Sequence, residues 1–356
     1  MKFLVDLSVE ADALMFKRLI SKLKERGHEV ILTARSIVEA NKLQEYIGLK
    51  PHVFGEYSGT LEGKLIASSQ RIYEMAKLVQ KTNGKLDGVV SNTGIEACRL
   101  GFGLNTQVHT FHDHPNKEAM AQMKLTIPIS TYVYAPWVIP KNNYTQFGLE
   151  DWQIVSYKGF LSTAWMPYET LDSKIVIDLK LDEDRPIIVF RHSEMKAAYL
   201  FGKHDITIEA VKMLAQQRPD IQFVTRPRYS IEELQLQFPT EYYPNVIILP
   251  EPVDMRSLLA KSIAHIGGGA TMCLESAYLG IPTITSRPIM SPITDWLETQ
   301  GLAHKAYTSD DIIYIFNNYI SGKNSTDYQY KAKKVFGELE FPLDRLIENM
   351  ERGNEK

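Results

Sequence analysis

Three consecutive glycines, Gly267, Gly268 and Gly269, stand between a short apolar run and a helical pattern in the segment Ala264-His-Ile-Gly-Gly-Gly-Ala-Thr-Met-Cys-Leu-Glu-Ser-Ala-Tyr-Leu-Gly-Ile-Pro282. The order strand, bare turn, helix suits an anion. Glycine has no side chain, so a phosphate can approach the backbone. The first N–H groups of the helix that opens with Ala270 and Thr271 lack internal acceptors and point at the same space. Glu275 follows about one and a half turns later, within reach of a sugar hydroxyl if a nucleotide phosphate occupies the turn. Gly280 and Pro282 end the helix and start the next strand. The segment equally suits a tight strand-to-helix turn that holds nothing, because a glycine-rich turn alone is a weak motif.

In open parallel α/β sheets, ligands bind beyond the carboxyl ends of the strands. In the carboxy-terminal half the residues after the apolar runs are Arg191-His192-Ser193-Glu194, Arg226-Pro227-Arg228 and Pro250-Glu251-Pro252. Arg191, Arg226 and Arg228, converging with the glycine turn on one edge, would suit a diphosphate, since guanidinium forks match phosphate oxygens. Solvated pairing with Glu194, Glu251 and their neighbours is the plain alternative.

In the amino-terminal half the strand ends offer Asp6 and Ser8, Thr33 and Arg35, Gly55, Asn92-Thr93-Gly94 and His112-Asp113-His114. The last group, with His109 nearby, invites a metal reading. Alternate residues of an extended segment face opposite sides, however, and no further ligand pattern is visible, so no metal or other cofactor is expected. A general base fits better: histidine titrates near neutrality and a neighbouring carboxylate can orient it. The candidates are Asp12 and His112, with Asp113 as orienting partner; a hydrogen-bonded loop histidine is the alternative. Glu118 is a further carboxylate, and Asp6 alternatively caps the turn that follows it. Gly55-Glu-Tyr-Ser-Gly-Thr-Leu-Glu-Gly63 reads as a mobile flap or as a surface connection, and its spacing is not that of a P-loop.

The elements that must position these residues follow from hydrophobic periodicity. Strands are predicted over 2–7, 30–33, 52–54, 88–91, 107–111 and 131–135, with helices over 11–25, 37–46, 64–81 and 95–100. This alternation argues for a parallel sheet covered on both faces. Between 136 and about 184 the pattern breaks into prolines and aromatics, including Trp137, Trp152 and Trp165, which reads as an interdomain connection with its own packing. A second series has strands over 186–190, 222–225, 246–249, 263–266 and 283–285. Its helices fall over 206–217, 231–237, 255–260, 294–300 and 310–319, and a charged helical tail begins near 327.

The 356 residues suit two domains rather than one core. A hydrophobic share of 44% and a charged share of 23% belong to a soluble globular chain. A net charge of −3 gives no general pull toward nucleic acid or anionic lipid, so a phosphate site must be local. Peripheral membrane contact would need an apolar patch. Cys98 and Cys273 are too few for a disulfide framework and read as small buried side chains. The amino terminus lacks a signal peptide's layout and no apolar run is long enough to span a bilayer, so a cytoplasmic location is expected.

The chain resembles the GT-B superfamily, which holds MurG-like glycosyltransferases and UDP-N-acetylglucosamine 2-epimerases, and within it an uncharacterised, largely archaeal family. The residues that carry the likeness are Asp6-Leu-Ser8, Phe16-Lys17, Lys24-Glu-Arg-Gly-His-Glu-Val30, Phe111-His-Asp-His-Pro115, Tyr157-Lys-Gly-Phe160 and, most specifically, Gly267–Pro282. The resemblance implies two Rossmann-like domains facing across a cleft, over 1–165 (acceptor side) and 166–325 (nucleotide-sugar side). It implies a helical tail over 326–356 that returns to the first domain. It further implies a UDP-sugar held by the second domain, with Glu275 on the ribose, the glycine turn on the diphosphate and the loop at Glu251 edging the base. GT-B enzymes as a class do not require a metal. Members of the narrower family often carry a histidine in the first strand–helix loop, and here Ser8-Val-Glu-Ala-Asp-Ala-Leu14 has none. The epimerase signatures after the glycine loop are only partly echoed, by Arg287-Pro288. Transfer of a sugar to an unidentified acceptor is therefore the leading expectation. Epimerisation of a UDP-sugar, or binding without turnover, are the alternatives.

Overall fold

The computed structural model describes residues 1–56, 58–82, 85–115, 117–193, 205–228, 230–286, 291–320 and 326–353. Glu194, Arg287, Pro288 and Tyr57 of the glycine-spaced loop lie outside the described residues, as does the side chain of Glu118. The chain forms two compact α/β units, 1–165 with 340–356 and 166–339.

The first unit runs β1 (Lys2–Leu7), α1 (Glu10–Glu25), β2 (Glu29–Ser36), α2 (Val38–Tyr46), β3 (His52–Glu56), α3 (Leu61–Lys81), β4 (Gly88–Asn92), α4 (Ile95–Gly103) and β5 (Gln107–Phe111). It continues through α5 (Met120–Thr126), β6 (Tyr132–Pro136), α6 (Asn142–Thr145) and β7 (Ile154–Tyr157). All its strands are parallel, in the order β3-β2-β1-β4-β5-β6-β7. The central strands are buried on both faces, which is why Phe3-Leu-Val and Val89-Val90 read as unbroken apolar runs. Leu4, Met75, Val79, Val89 and Ala97 pack one face. On α1, Phe16, Leu19, Ile20 and Leu23 recur at helical spacing and are buried.

The second unit runs α7 (Ile175–Asp178), β8 (Ile187–Arg191), α8 (Ile206–Gln217), β9 (Gln222–Thr225), α9 (Ile231–Gln237), β10 (Val246–Ile248) and α10 (Met255–Ala260). β11 (Ala264–Gly267), α11 (Ala270–Tyr278), β12 (Thr283–Thr285), α12 (Pro292–Thr299), β13 (Ala303–Lys305), α13 (Ser309–Ile315) and α14 (Thr326–Phe336) follow. Its parallel sheet has the order β10-β9-β8-β11-β12-β13. Ile188, Phe190, Phe223 and Ile266 pack against α8 and α13 on one face. Val189, Val224, Leu258 and Leu259 fill the other. In both sheets the strand order reverses direction once, between β1 and β4 and between β8 and β11. Diverging connections open a crevice at such a point.

The tail divides. Phe336 of α14 meets Tyr278 and Trp296 edge-on, with ring centroids 5.2 and 5.8 Å apart, inside the second unit. α15 (Leu343–Glu351) belongs to the first unit and buries Leu343, Leu346, Ile347 and Met350 at helical spacing. The chain re-enters that unit at the Tyr157-Lys-Gly-Phe160 motif, where the Glu340 N–H donates to the Lys158 carbonyl at 2.9 Å. A β-carbon on Gly159 would overlap the Glu340 carbonyl, so the motif's glycine is set by the returning backbone. The stretch 136–165 is therefore part of the first unit, with β7 as its edge strand.

Candidate functional site

In the second unit the glycine turn joins β11 to α11 at the carboxyl edge of the sheet, beside β8. The Gly268 N–H donates to the Arg191 carbonyl at 3.1 Å, and the Ser286 N–H donates to the Gly267 carbonyl at 3.0 Å, so the turn is pinned to both neighbouring strands. The three glycines are bare for three different reasons. A β-carbon on Gly267 would lie 2.5 Å from His265 Nε2, and one on Gly268 would overlap Ser193 Oγ. One on Gly269 would lie 3.1 Å from Arg228 Nη2. Two of the glycines thus make room for the protein itself, and only Gly269 borders a guanidinium. As the N-cap of α11, Gly269 offers no side-chain oxygen to the first-turn N–H groups, Ala270 and Thr271 among them.

The arginines divide in the same way. Arg191 is buried, and its Nη1 donates to the carbonyls of Arg226 and Pro227 at 2.9 and 3.2 Å. It therefore holds the loop after β9 in place. Arg226 is buried as well. Arg228 is half-buried; its Nε donates to the His192 carbonyl at 3.3 Å, and its Nη2 lies beside Gly269. Asp205, the N-cap of α8, accepts the Ser193 N–H at 2.7 Å; burial raises its carboxyl against the hydrogen bonds of Thr207 and Ser193 and the charge of Arg228. His265 is fully buried and held neutral, lowered to about 4 by burial, with Nδ1 on the Val189 carbonyl at 2.9 Å. Glu275 is buried on α11. Glu251 is exposed after β10, three strands from β11 in the sheet order. At the usual strand spacing that is about 14 Å, beyond a diphosphate but within the span of a nucleotide.

In the first unit the carboxyl edge is built around paired charges. Asp6, at the end of β1, is wholly buried. It accepts from Thr33 Oγ1 at 2.7 Å, from Ser8 Oγ at 3.1 Å and from Arg71 of α3. Arg71 also donates to Glu96 of α4 at 3.1 Å, and Arg35 reaches the same carboxylate at 3.0 Å. Asp6 is thus an ion-pair partner that also binds side-chain hydroxyls. Asp12, in the first turn of α1, accepts the N–H groups of Ser8 and Val9 at 2.7 and 3.0 Å and the Asn92 amide at 2.9 Å. Burial pushes its carboxyl up to about 7 against the pull of those three donors. The backbone N–H groups of the turn after β1 are thus capped by Asp12 rather than by Asp6.

His112, just past β5, is fully buried with its ring edge-on to Tyr144 at 5.7 Å. The Tyr144 hydroxyl donates to the His112 carbonyl at 2.8 Å. Burial lowers the imidazole to about 4, so it is neutral at pH 7. The Asp113 carboxylate lies against His114 Nδ1, and that is the histidine it orients. His109 is a core residue, with Nδ1 3.2 Å from the Tyr134 hydroxyl and Nε2 3.0 Å from Gln107 Oε1. Asn349 of α15 donates to the same hydroxyl at 3.0 Å, so this set docks the returning helix. Among the described residues no group of three or more His, Cys, Asp or Glu side chains could hold a metal ion. Sequence reasoning missed the Arg35, Arg71 and Glu96 network; the only signal was an arginine at mid-helix in α3. It also missed Ser193 and His265 as the packing partners of the glycines.

Several comparisons place the chain. A family model described as "Protein of unknown function (DUF354)" matches residues 1–351. An uncharacterized protein of Methanocaldococcus jannaschii is 32% identical over 321 residues, which is 88% of this chain and 90% of that one. Among solved structures, the S. aureus MnaA–UDP complex superposes with a TM-score of 0.77 at 14% identity, covering 99% of this chain and 96% of that one. UDP-GlcNAc 2-epimerase from Neisseria meningitidis, bound to UDP-GlcNAc, does so with a TM-score of 0.75 at 15% identity, covering 99% and 100%. Such likeness at low identity establishes a GT-B-like α/β fold. Among the described residues no helix is long and apolar enough to cross a membrane. The family match spans nearly the whole chain and the archaeal relative exceeds 30% identity, so the protein belongs to the family of unknown function DUF354.

Proposed function

We propose that this protein binds a UDP-sugar at the second unit and transfers the sugar to an acceptor hydroxyl. The observation that carries the reading is the guanidinium of Arg228 beside Gly269, at the uncapped N-terminus of α11. Helix N–H groups and a fixed arginine together favour a diphosphate. Folds of this shape bind UDP-GlcNAc or UDP in the Neisseria and S. aureus proteins, which supports the nucleotide class. Glu275 is assigned to the ribose and the Glu251 loop to the base. Arg191, with Arg226, positions the loop that carries Arg228.

In transfer, the acceptor oxygen forms a bond to the anomeric carbon as the bond to the diphosphate breaks. UDP leaves with the electron pair, and the acceptor proton passes to a base. Arg228 and the α11 N–H groups already aim at the charge that develops on the leaving group. The first unit supplies the base. Asp12, raised to about 7, is thermodynamically suited to accept a proton near neutrality, and His112 is the second candidate. Epimerisation is the second reading, favoured by the named activity of the Neisseria neighbour and by the two carboxylates, Asp12 and Asp113, on the first sheet's edge.

Calorimetric titration with UDP tests binding, and incubation with UDP-GlcNAc tests turnover. A product that requires an acceptor supports transfer, and an epimer formed without one supports epimerisation. Tight binding with no product across an acceptor panel would leave a sugar-nucleotide-binding protein. Absence of UDP binding would sink the proposal.

A further inference from the structure

The first unit carries unpartnered, buried polar atoms along one edge of its sheet. Among the described residues they include Nε of Arg71 beside Asp6, Oδ1 of Asn92 at the end of β4, both ring nitrogens of His112 after β5 and the phenol oxygen of Tyr157 at the end of β7. Oγ of Ser162, in the tight helical turn that follows, is another. His112 and Ser162 are 0% exposed and Tyr157 is 6% exposed. A buried donor or acceptor without a partner costs about 1–3 kcal/mol, so a native chain keeps few and each needs a reason. A group of them at the carboxyl ends of β4, β5 and β7 in one sheet, where ligands of parallel sheets bind, points to a ligand as that reason.

The charges there select its class. The two arginines of this edge, Arg35 and Arg71, are already paired with Glu96 and Asp6. Asp113 is paired with His114. The groups that remain are neutral: His112 is held uncharged by burial, and burial with the nearby charge of Asp113 keeps the phenols of Tyr144 and Tyr157 protonated. A neutral imidazole offers one donor and one acceptor, and a phenol or hydroxyl offers both. Such groups match alcohols, whereas the Asp113 carboxylate disfavours an added anion.

We infer that the carboxyl edge of β4, β5 and β7 binds a neutral, hydroxyl-rich ligand, a sugar ring or polyol without phosphate, with His112, Tyr157 and Ser162 as direct contacts. Its role as the acceptor rests on the transfer reading; the binding itself does not. The test uses the whole protein and saturation-transfer NMR with glucose, N-acetylglucosamine and myo-inositol, each against its phosphate monoester. Neutral compounds should bind, and their phosphate monoesters should bind at least about tenfold more weakly. Tyr157→Phe should weaken neutral binding by about 2- to 12-fold, the loss of one hydrogen bond. The same variant and Ser162→Ala should unfold at an unchanged or higher temperature, because each removes an unpaired buried hydroxyl. The inference fails if the phosphate esters bind as well as the parent compounds or if no neutral compound binds. It also fails if both variants melt earlier with binding unaltered. A UDP titration of Tyr157→Phe separates the two proposals, since nucleotide affinity should not change there.

Discussion

The two sheets have the same strand order through their first six positions but use arginine in opposite ways at their carboxyl edges. In the first unit Arg35 and Arg71 are bound to the carboxylates of Glu96 and Asp6, so cation and anion cancel inside the protein. In the second unit Arg191 donates to the carbonyl oxygens of Arg226 and Pro227. Arg228 stands beside the glycine turn. An edge that neutralises its arginines internally is poorly suited to phosphate. A carbonyl, unlike a carboxylate, brings no full negative charge against the guanidinium it binds. A shared topology thus provides two sites of different ligand chemistry, because strand order fixes where a site lies and side-chain pairing fixes what it accepts.

The largest expected break in this contrast is Arg71→Ala. It strands Asp6 as a buried carboxylate and leaves Glu96 to Arg35 alone, and loss of one partner of such a set costs about 3–5 kcal/mol. Chemical denaturation should register that loss, and hydrogen exchange should confine it to the first unit. A loss below about 1 kcal/mol would mean the network does not hold that edge together. Next is Arg228→Ala, which should weaken UDP binding by about 1.5–3 kcal/mol while leaving the unfolding midpoint within a degree or two. Unchanged affinity in a calorimetric titration would take Arg228 out of the site.

Gly268→Ala comes third. Its methyl overlaps Ser193, and overpacking of this kind costs about 1–3 kcal/mol of stability. Adding Ser193→Gly should restore most of the loss; if it does not, the glycine has another reason. Such a rescue would show that Gly268 is bare for packing, in contrast to Gly269.

The smallest effect is one of pH. His109 and His112 in the first unit and His265 in the second are lowered by burial to about 3, 4 and 4. Unfolding lets each take up a proton below its ordinary value near 6.5, so the stability they permit is full above about pH 6.5 and lost as pH falls toward 4. Asp12, raised to about 7, has the opposite sign: the folded form holds the proton more tightly, so stability grows as pH falls through 7 toward 4. In the first unit Asp12 therefore offsets one of the two histidines. His112→Gln should flatten that unit's decline between pH 6.5 and 5.5 by at most about 1.4 kcal/mol, read by hydrogen exchange of each unit. A slope identical to wild type would place the proton uptake elsewhere.

Much of the fold is legible without coordinates, for identifiable reasons. Central parallel strands are buried on both faces, so the apolar runs Phe3-Leu-Val5 of β1, Val89-Val90 of β4 and Ile187-Ile-Val-Phe190 of β8 stand out in the residue string, whereas β5 buries Gln107 and His109 against each other. β7 and β13 do not stand out: one follows a proline-rich stretch and the other is only three residues long, and a short edge strand carries little periodic signal. The helices α1, α3, α8 and α11 are marked by apolar spacing and by glycine or capping residues at their ends. α5 was hidden because it is short and grows out of a tight turn.

By itself the chain determined that two parallel α/β layers form, that the glycine turn sits between a strand and a helix, and which residues stand at strand ends. Those features depend on local periodicity and on backbone conformations a few residues long. Only the tertiary structure decided that Gly267 and Gly268 yield space to His265 and Ser193 while Gly269 faces Arg228, that Asp113 serves His114 rather than His112, and that Arg71 is spent on Asp6. Gly268 with Ser193, Gly269 with Arg228 and Arg71 with Asp6 are pairings between residues far apart in sequence. The local contacts of Gly267 with His265 and of Asp113 with His114 depend on how their segments pack. Burial forces polar groups to find partners, and which partner is within reach depends on how the elements pack.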